Sequence, residues 1–123
     1  MNTRDVVLAY LENVGRKSDW EIYLSEDLQF TNFTYPVKQA KGKRASLEGI
    51  RRFYSMVQGM EVEALIVEGD RACALVRYDL LPPMGPGFQS HIAEVFTVAE
   101  GKIQSYEIYF DSAPYPKGPE PQT

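Results

Sequence analysis

The chain has one cysteine and one histidine in 123 residues, Cys73 and His91. A lone thiol cannot close an internal disulfide and fits a reducing compartment. The two residues together are too few for a zinc site of histidine and cysteine ligands, so no metal and no cofactor is expected. Basic residues are in deficit: 13 Lys and Arg stand against 17 Asp and Glu, a net charge of −4. That balance argues against nucleic acid and against acidic membranes, which both favour a basic patch. No apolar run is long enough to span a bilayer, and the opening MNTRDVVLAY lacks the apolar core of a signal peptide, so the expected location is cytoplasmic. A phosphate loop is missing too. The glycines of LPPMGPG, residues 81–87, are interrupted by prolines and follow no strand-to-helix turn.

What is present is enough for one domain. Apolar residues make up 44% of the chain, which supports a genuine core. Val6, Val7, Tyr10, Leu11 and Val14 share one helical face, with Thr3 as the expected N-cap and Gly15 as the stop. A short second helix is expected in SDWEIYL, residues 18–24, and a strand through Leu28, Phe30 and Asn32. TYPVKQAKGK, residues 34–43, reads as a loop, and 44–58 as a third helix with Leu47, Ile50, Phe53 or Tyr54, and Val57 inward. From Met60 the pattern turns to period two, with strands expected at about 60–69, 71–81, 88–98 and 102–111. EGD and AEGK are the hairpin turns between them. Residues 113–123 form a proline-rich tail after a domain at 1–112. Helices first and hairpin-linked strands afterwards predict an α+β fold, helices packed on a curved, mostly antiparallel sheet that encloses a pocket for a small apolar molecule.

One residue resists the pattern. In IAEVFTV, residues 92–98, Glu94 shares its parity with Ile92, Phe96 and Val98. An inward carboxylate there is costly unless it is paired, protonated or used.

VVLAYLENVGRKSDWEIYLSEDLQF, GKRASLEGIRRFY and VFTVAEGKIQSYEIYFD resemble the nuclear transport factor 2-like superfamily, with its SnoaL-like cyclases, ketosteroid isomerases and limonene epoxide hydrolases. The resemblance spans about residues 3–112 and implies a cystatin-like conical α+β barrel, often dimeric through the outer face of its sheet. It also implies an inner face of Leu28, Phe30, Asn32, Cys73, Leu75, Arg77, Asp79, Ile92, Glu94, Phe96, Val98, Tyr106, Ile108 and Phe110. Between 72 and 80 periodicity disagrees, because Ala72, Ala74, Val76, Tyr78 and Leu80 are the more apolar set. The expectation here follows the resemblance and turns that apolar set outward, where it would suit a dimer interface.

On that reading Asp79, Glu94 and Arg77 form the catalytic cluster, and Asn32, Tyr10, Phe30, Phe96, Tyr106, Ile108 and Phe110 bind substrate. The RYD of Arg77–Asp79 resembles the Arg-x-Asp of limonene epoxide hydrolases, and Asn32 their asparagine, although Phe30 and Ile108 stand where a Tyr and a second Asp belong. Tyr10 and Glu94 fall near the oxyanion-binding pair of ketosteroid isomerases, but Asn32 stands at the base position. For the SnoaL-like cyclases one acidic residue is enough, and Asp79 or Glu94 would serve. Each residue also has a structural explanation: Arg77 in an ion pair that holds register, Asn32 satisfying nearby backbone, Tyr10 in the core. Three functions follow. One is a metal-independent enzyme of isomerase, cyclase or hydrolase type acting by acid–base chemistry. The others are a non-catalytic binder of an apolar ligand and a homodimeric interaction protein with a filled cone.

Overall fold

The structure is a computed structural model that describes residues 1–34 and 36–116, so the end of the expected tail, 117–123, lies outside the described residues. Helix α1 spans Thr3–Arg16 and buries Val6, Val7, Tyr10, Leu11 and Val14, the predicted face. Its ends differ from expectation. Asn2 is the cap, its side chain accepting from the Asp5 N–H at 2.8 Å. The Thr3 hydroxyl instead donates to Gly69 O at 2.9 Å, tying the helix to a hairpin turn. The helix runs through Gly15 and stops where Lys17 turns left-handed at φ 58°, its N–H bonding the Val14 carbonyl. Each buried aliphatic side chain on this face contributes about 1.5–3 kcal/mol relative to exposure.

The expected second helix shrinks to a 3-10 turn at Trp20–Tyr23, because strand β1 begins at once, Leu24–Asn32. A short strand, β2 at Lys38–Lys41, interrupts the expected loop of 34–43, of which residue 35 lies outside the described residues, and pairs antiparallel with β1. Helix α2, Lys43–Ser55, ends before Val57, which opens β3, Val57–Glu68. Strands β4 (Arg71–Leu80), β5 (Phe88–Ala99) and β6 (Lys102–Phe110) complete the chain order. The β5–β6 turn needs two residues at positive φ, supplied by Glu100 at 55° and Gly101 at 73°.

All six strands form one sheet in the order β2-β1-β6-β5-β4-β3. Among the described residues only the β1–β6 pair is parallel. Register breaks in the β1–β6, β3–β4 and β5–β6 pairings bend the long strands. The two helices pack on this curved, open sheet, and the expected α+β architecture is observed. Among the described residues no helix is long and apolar enough to cross a membrane. The start of the tail is anchored: the Tyr115 ring packs on Phe88 and Phe110, and its hydroxyl donates to Ser90 Oγ at 2.7 Å.

Strand β4 faces the opposite way from the expectation. Ala72, Ala74, Val76, Tyr78 and Leu80 are buried; Cys73, Leu75, Arg77 and Asp79 are not. Register decides this. Ala74 sits opposite Glu94 and Val76 opposite Ile92, and directly opposed residues of neighbouring strands share a face. The apolar set that was to cover an outer dimer interface is therefore interior, and that argument for a dimer falls. Two leucines of this strand provide a matched test. Leu80→Ala should destabilise by about 2–5 kcal/mol and Leu75→Ala by no more than about 0.5 kcal/mol, read from urea unfolding. Equal losses would overturn the assigned parity.

Candidate functional site

Arg77 and Asp79, two of the three expected catalytic residues, lie outside the hollow. Arg77 Nη1 donates to Glu61 Oε2 at 3.0 Å and its Nε lies 3.8 Å from Asp79 Oδ1, while Gln89 Nε2 donates to Asp79 Oδ1 at 2.9 Å. This is a ladder across β3, β4 and β5 on the outer face. The Arg-x-Asp motif therefore cannot activate water in the interior, and the epoxide-hydrolase reading of it is corrected. His91, exposed beside Glu63, has the expected outward parity.

Glu94 is inside, 1% exposed. Ala74 opposite it leaves room, and Tyr78 fills that room from the same face of β4. The Tyr78 hydroxyl donates to Glu94 Oε2 at 2.6 Å, while Glu94 Oε1 has no hydrogen-bond partner among the described residues. Burial pushes the Glu94 carboxyl up to about 7, against the pull of the Tyr78 bond. Tyr106 adds a further pull in that direction without closing a direct bond to the carboxyl. No cation contributes.

A row of hydroxyls runs beside it. Tyr10 Oη lies 2.6 Å from Tyr54 Oη, which lies 3.2 Å from Tyr106 Oη. Three hydroxyls carry three protons and share two bonds, so one O–H of the row is left to donate elsewhere. Burial, reinforced by the nearby Glu94 charge, holds all three tyrosines and Tyr78 above their ordinary pKa, so they are neutral donors. Edge contacts lock the rings: Trp20 meets Tyr54 at 4.9 Å, and Tyr10 meets Phe96 at 5.8 Å.

A pocket of about 240 Å³ opens onto this arrangement. Of the expected binding residues, Phe30, Asn32, Tyr106, Ile108 and Phe110 line it together with Glu94. Tyr10 and Phe96 are fully buried and stand behind the wall, Phe96 tilted on Tyr106 with centroids 4.7 Å apart. The volume lies below the roughly 300 Å³ at the lower end for ligand pockets, which favours a compact ligand. The hollow is not packed solid. Sequence reasoning missed Tyr78 and Tyr54 as site residues. Periodicity of β4 held the signal for Tyr78; for Tyr54, helical spacing alone left it tied with Phe53. Among the described residues no group of three or more His, Cys, Asp or Glu side chains is arranged to hold a metal ion.

The SnoaL-like domain profile matches residues 7–106. The chain belongs to the SnoaL-like domain family. Solved structures agree on the fold of this SnoaL-like chain. An NTF2-like protein from Burkholderia thailandensis shares 19% identity and a TM-score of 0.78, covering 91% of this chain and 92% of its own. A candidate SnoaL-like polyketide cyclase from Mesorhizobium loti gives 21% and 0.74, with coverage of 89% and 99%. An LEH-like epoxide hydrolase of M. tuberculosis gives 24% and 0.71, with coverage of 89% and 82%. At these identities the likeness concerns architecture. No curated protein sequence matches the chain.

The raised carboxyl of this SnoaL-like domain has a consequence for stability. Its folded value of about 7 lies above the ordinary 4.5, so between those pH values the native state holds a proton that the unfolded chain has released. Stability from this group is full below 4.5, falls as pH rises towards 7, and is level above. The loss is on the order of 3 kcal/mol. In urea unfolding, Glu94→Gln should therefore gain on the wild type by about that amount between about pH 4.5 and pH 8. A difference between the two proteins that stays constant with pH would mean that Glu94 does not titrate in this way.

Proposed function

We propose that the chain is a small-molecule enzyme in which Glu94 moves a proton on an apolar carbonyl compound held in the pocket. The observation that carries this is the buried carboxyl with one oxygen occupied by Tyr78 and the other, Oε1, unpartnered. A carboxyl near 7 is available at neutral pH both as base and as acid, which is the condition for efficient general acid–base catalysis. The ionised carboxylate takes a proton from the carbon beside the ligand carbonyl. The spare O–H of the tyrosine row supplies a hydrogen bond to the oxygen that gains negative charge. Returning the proton to a different carbon shifts a double bond, giving an isomerase. Attack of the enolate carbon on a second carbonyl of the same molecule, with a proton delivered to its oxygen, closes a ring, giving a cyclase. A cyclase agrees with the SnoaL-like polyketide cyclase among the similar structures, an isomerase with the resemblance to ketosteroid isomerases, and neither requires Arg77 or Asp79.

One observation favours a second reading, a binding module that holds an apolar ligand without consuming it. Glu94 is the one carboxyl among the described residues lining the pocket, so a mechanism that needs two carboxyl groups has no second member. The third expectation, an interaction protein with a filled cone, loses ground to the open pocket.

Native mass spectrometry of freshly purified protein would identify any retained ligand and the oligomeric state, including the expected homodimer. The chemistry is read by proton NMR, following exchange of α-hydrogens for deuterium in a panel of small cyclic enones incubated with the protein in D2O. Wild-type protein should accelerate exchange, with a rate that rises through about pH 7 as the base ionises. Glu94→Gln should lower the rate by at least about 100-fold while the panel compounds still bind. Binding without exchange in the wild type would leave the container reading in place of the enzyme.

A further inference from the structure

The outer part of the pocket differs in character from its interior. Lys38 on the edge strand β2 stands opposite Asn32 of β1, and Arg52 projects from α2; all three line the pocket. Asn32 uses its Oδ1 to accept the Thr34 N–H at 2.9 Å, so its amide hydrogens are what it can offer a ligand. Arg52 meets Glu48 at 3.1 Å in a pair whose side chains are 72% and 82% exposed, which water screens. The rest of its guanidinium is open for another oxygen. Lys38 has no carboxylate partner among the described residues. Exposed cations at one end and a buried, cation-free carboxyl at the other give the pocket a polarity. On a chain of net charge −4 this is a local reversal of sign.

We propose that the ligand is an apolar acid, a compact hydrocarbon body carrying one carboxylate, which lies at Lys38 and Arg52 while an uncharged oxygen at the far end meets the tyrosine row beside Glu94. This deepens the reading above and rests on it for the pocket as the ligand site. The opposite orientation would place two carboxyl groups together in low dielectric, where each opposes the ionisation of the other. In the assigned orientation the anion stays near water, its partners are the mouth donors, and the Phe30, Phe53, Ile92, Ile108 and Phe110 walls meet only hydrocarbon. Each exposed pair adds modest affinity, and the two cations together select an acid over a neutral molecule of the same shape and fix its orientation.

The test uses two rigid probes of matched size, 6-hydroxy-2-naphthoate and 6-hydroxy-2-naphthamide, titrated into the full chain and followed by proton–nitrogen NMR. Both should shift the amide signals around Ile92 and Ile108. The carboxylate should bind about tenfold more tightly at low salt, an advantage that shrinks as salt is raised. The Lys38→Met/Arg52→Met double variant should bring the two probes within about twofold by weakening the carboxylate alone. Both substitutions are at exposed positions, so folding is not at stake. If both probes bind the pocket equally, or the carboxylate keeps its advantage in the double variant, the acid is not read by these cations and the inference fails while the pocket reading stands. If neither probe moves those signals, the pocket reading fails and takes the inference with it.

Discussion

The hydrogen bond from Tyr78 to Glu94 is the contact on which the interior of this SnoaL-like domain turns. A carboxyl taken out of water among aromatic and aliphatic groups needs either a cation or a proton. Here the neighbours are neutral tyrosines, so the protein keeps the proton within reach of neutral pH instead of locking the charge in an ion pair. The charged alternative, Arg77, is placed on the far side of the sheet, where it meets Glu61 and Asp79 at the surface. That separation leaves one carboxyl oxygen uncommitted beside an open pocket, which a buried salt bridge would have consumed.

The tyrosine row depends on the same arrangement. Tyr10 comes from α1, Tyr54 from α2 and Tyr106 from β6, so the row bonds both helices to the sheet beneath them. Rings set edge to face and closed behind by Phe96 leave little freedom for the hydroxyls. Donors fixed before a ligand arrives need no reorganisation when charge develops, which is the property that makes such groups effective. Stability and candidate chemistry thus share the same side chains.

Much of this was legible in the residues themselves. The apolar spacing of α1 and the alternation along β5 and β6 place the expected faces inward, including Glu94. The alternation of β4 was also legible, since Ala72, Ala74, Val76, Tyr78 and Leu80 are the more apolar set and are the ones buried. Following the resemblance against it exchanged Tyr78 for Arg77 and Asp79, and with them the whole polar cluster. The short strand β2 offered no such signal. Of its four residues only Ala40 is even partly buried, and its existence depends on a neighbour, β1, to pair with. The second helix was misjudged for a related reason, as β1 claims Leu24 for the sheet.

By itself the sequence determined the α+β class, helices α1 and α2, five of the six strands, and the presence of a carboxyl on an apolar face, because these follow from composition and local period. Only the tertiary structure decided that carboxyl's company. Which hydroxyl reaches Glu94, which cations reach the mouth and which oxygen is left free depend on the pairing of distant strands and on the bend of the sheet. Period two states that a side chain points to one face or the other; it carries no information about what waits there.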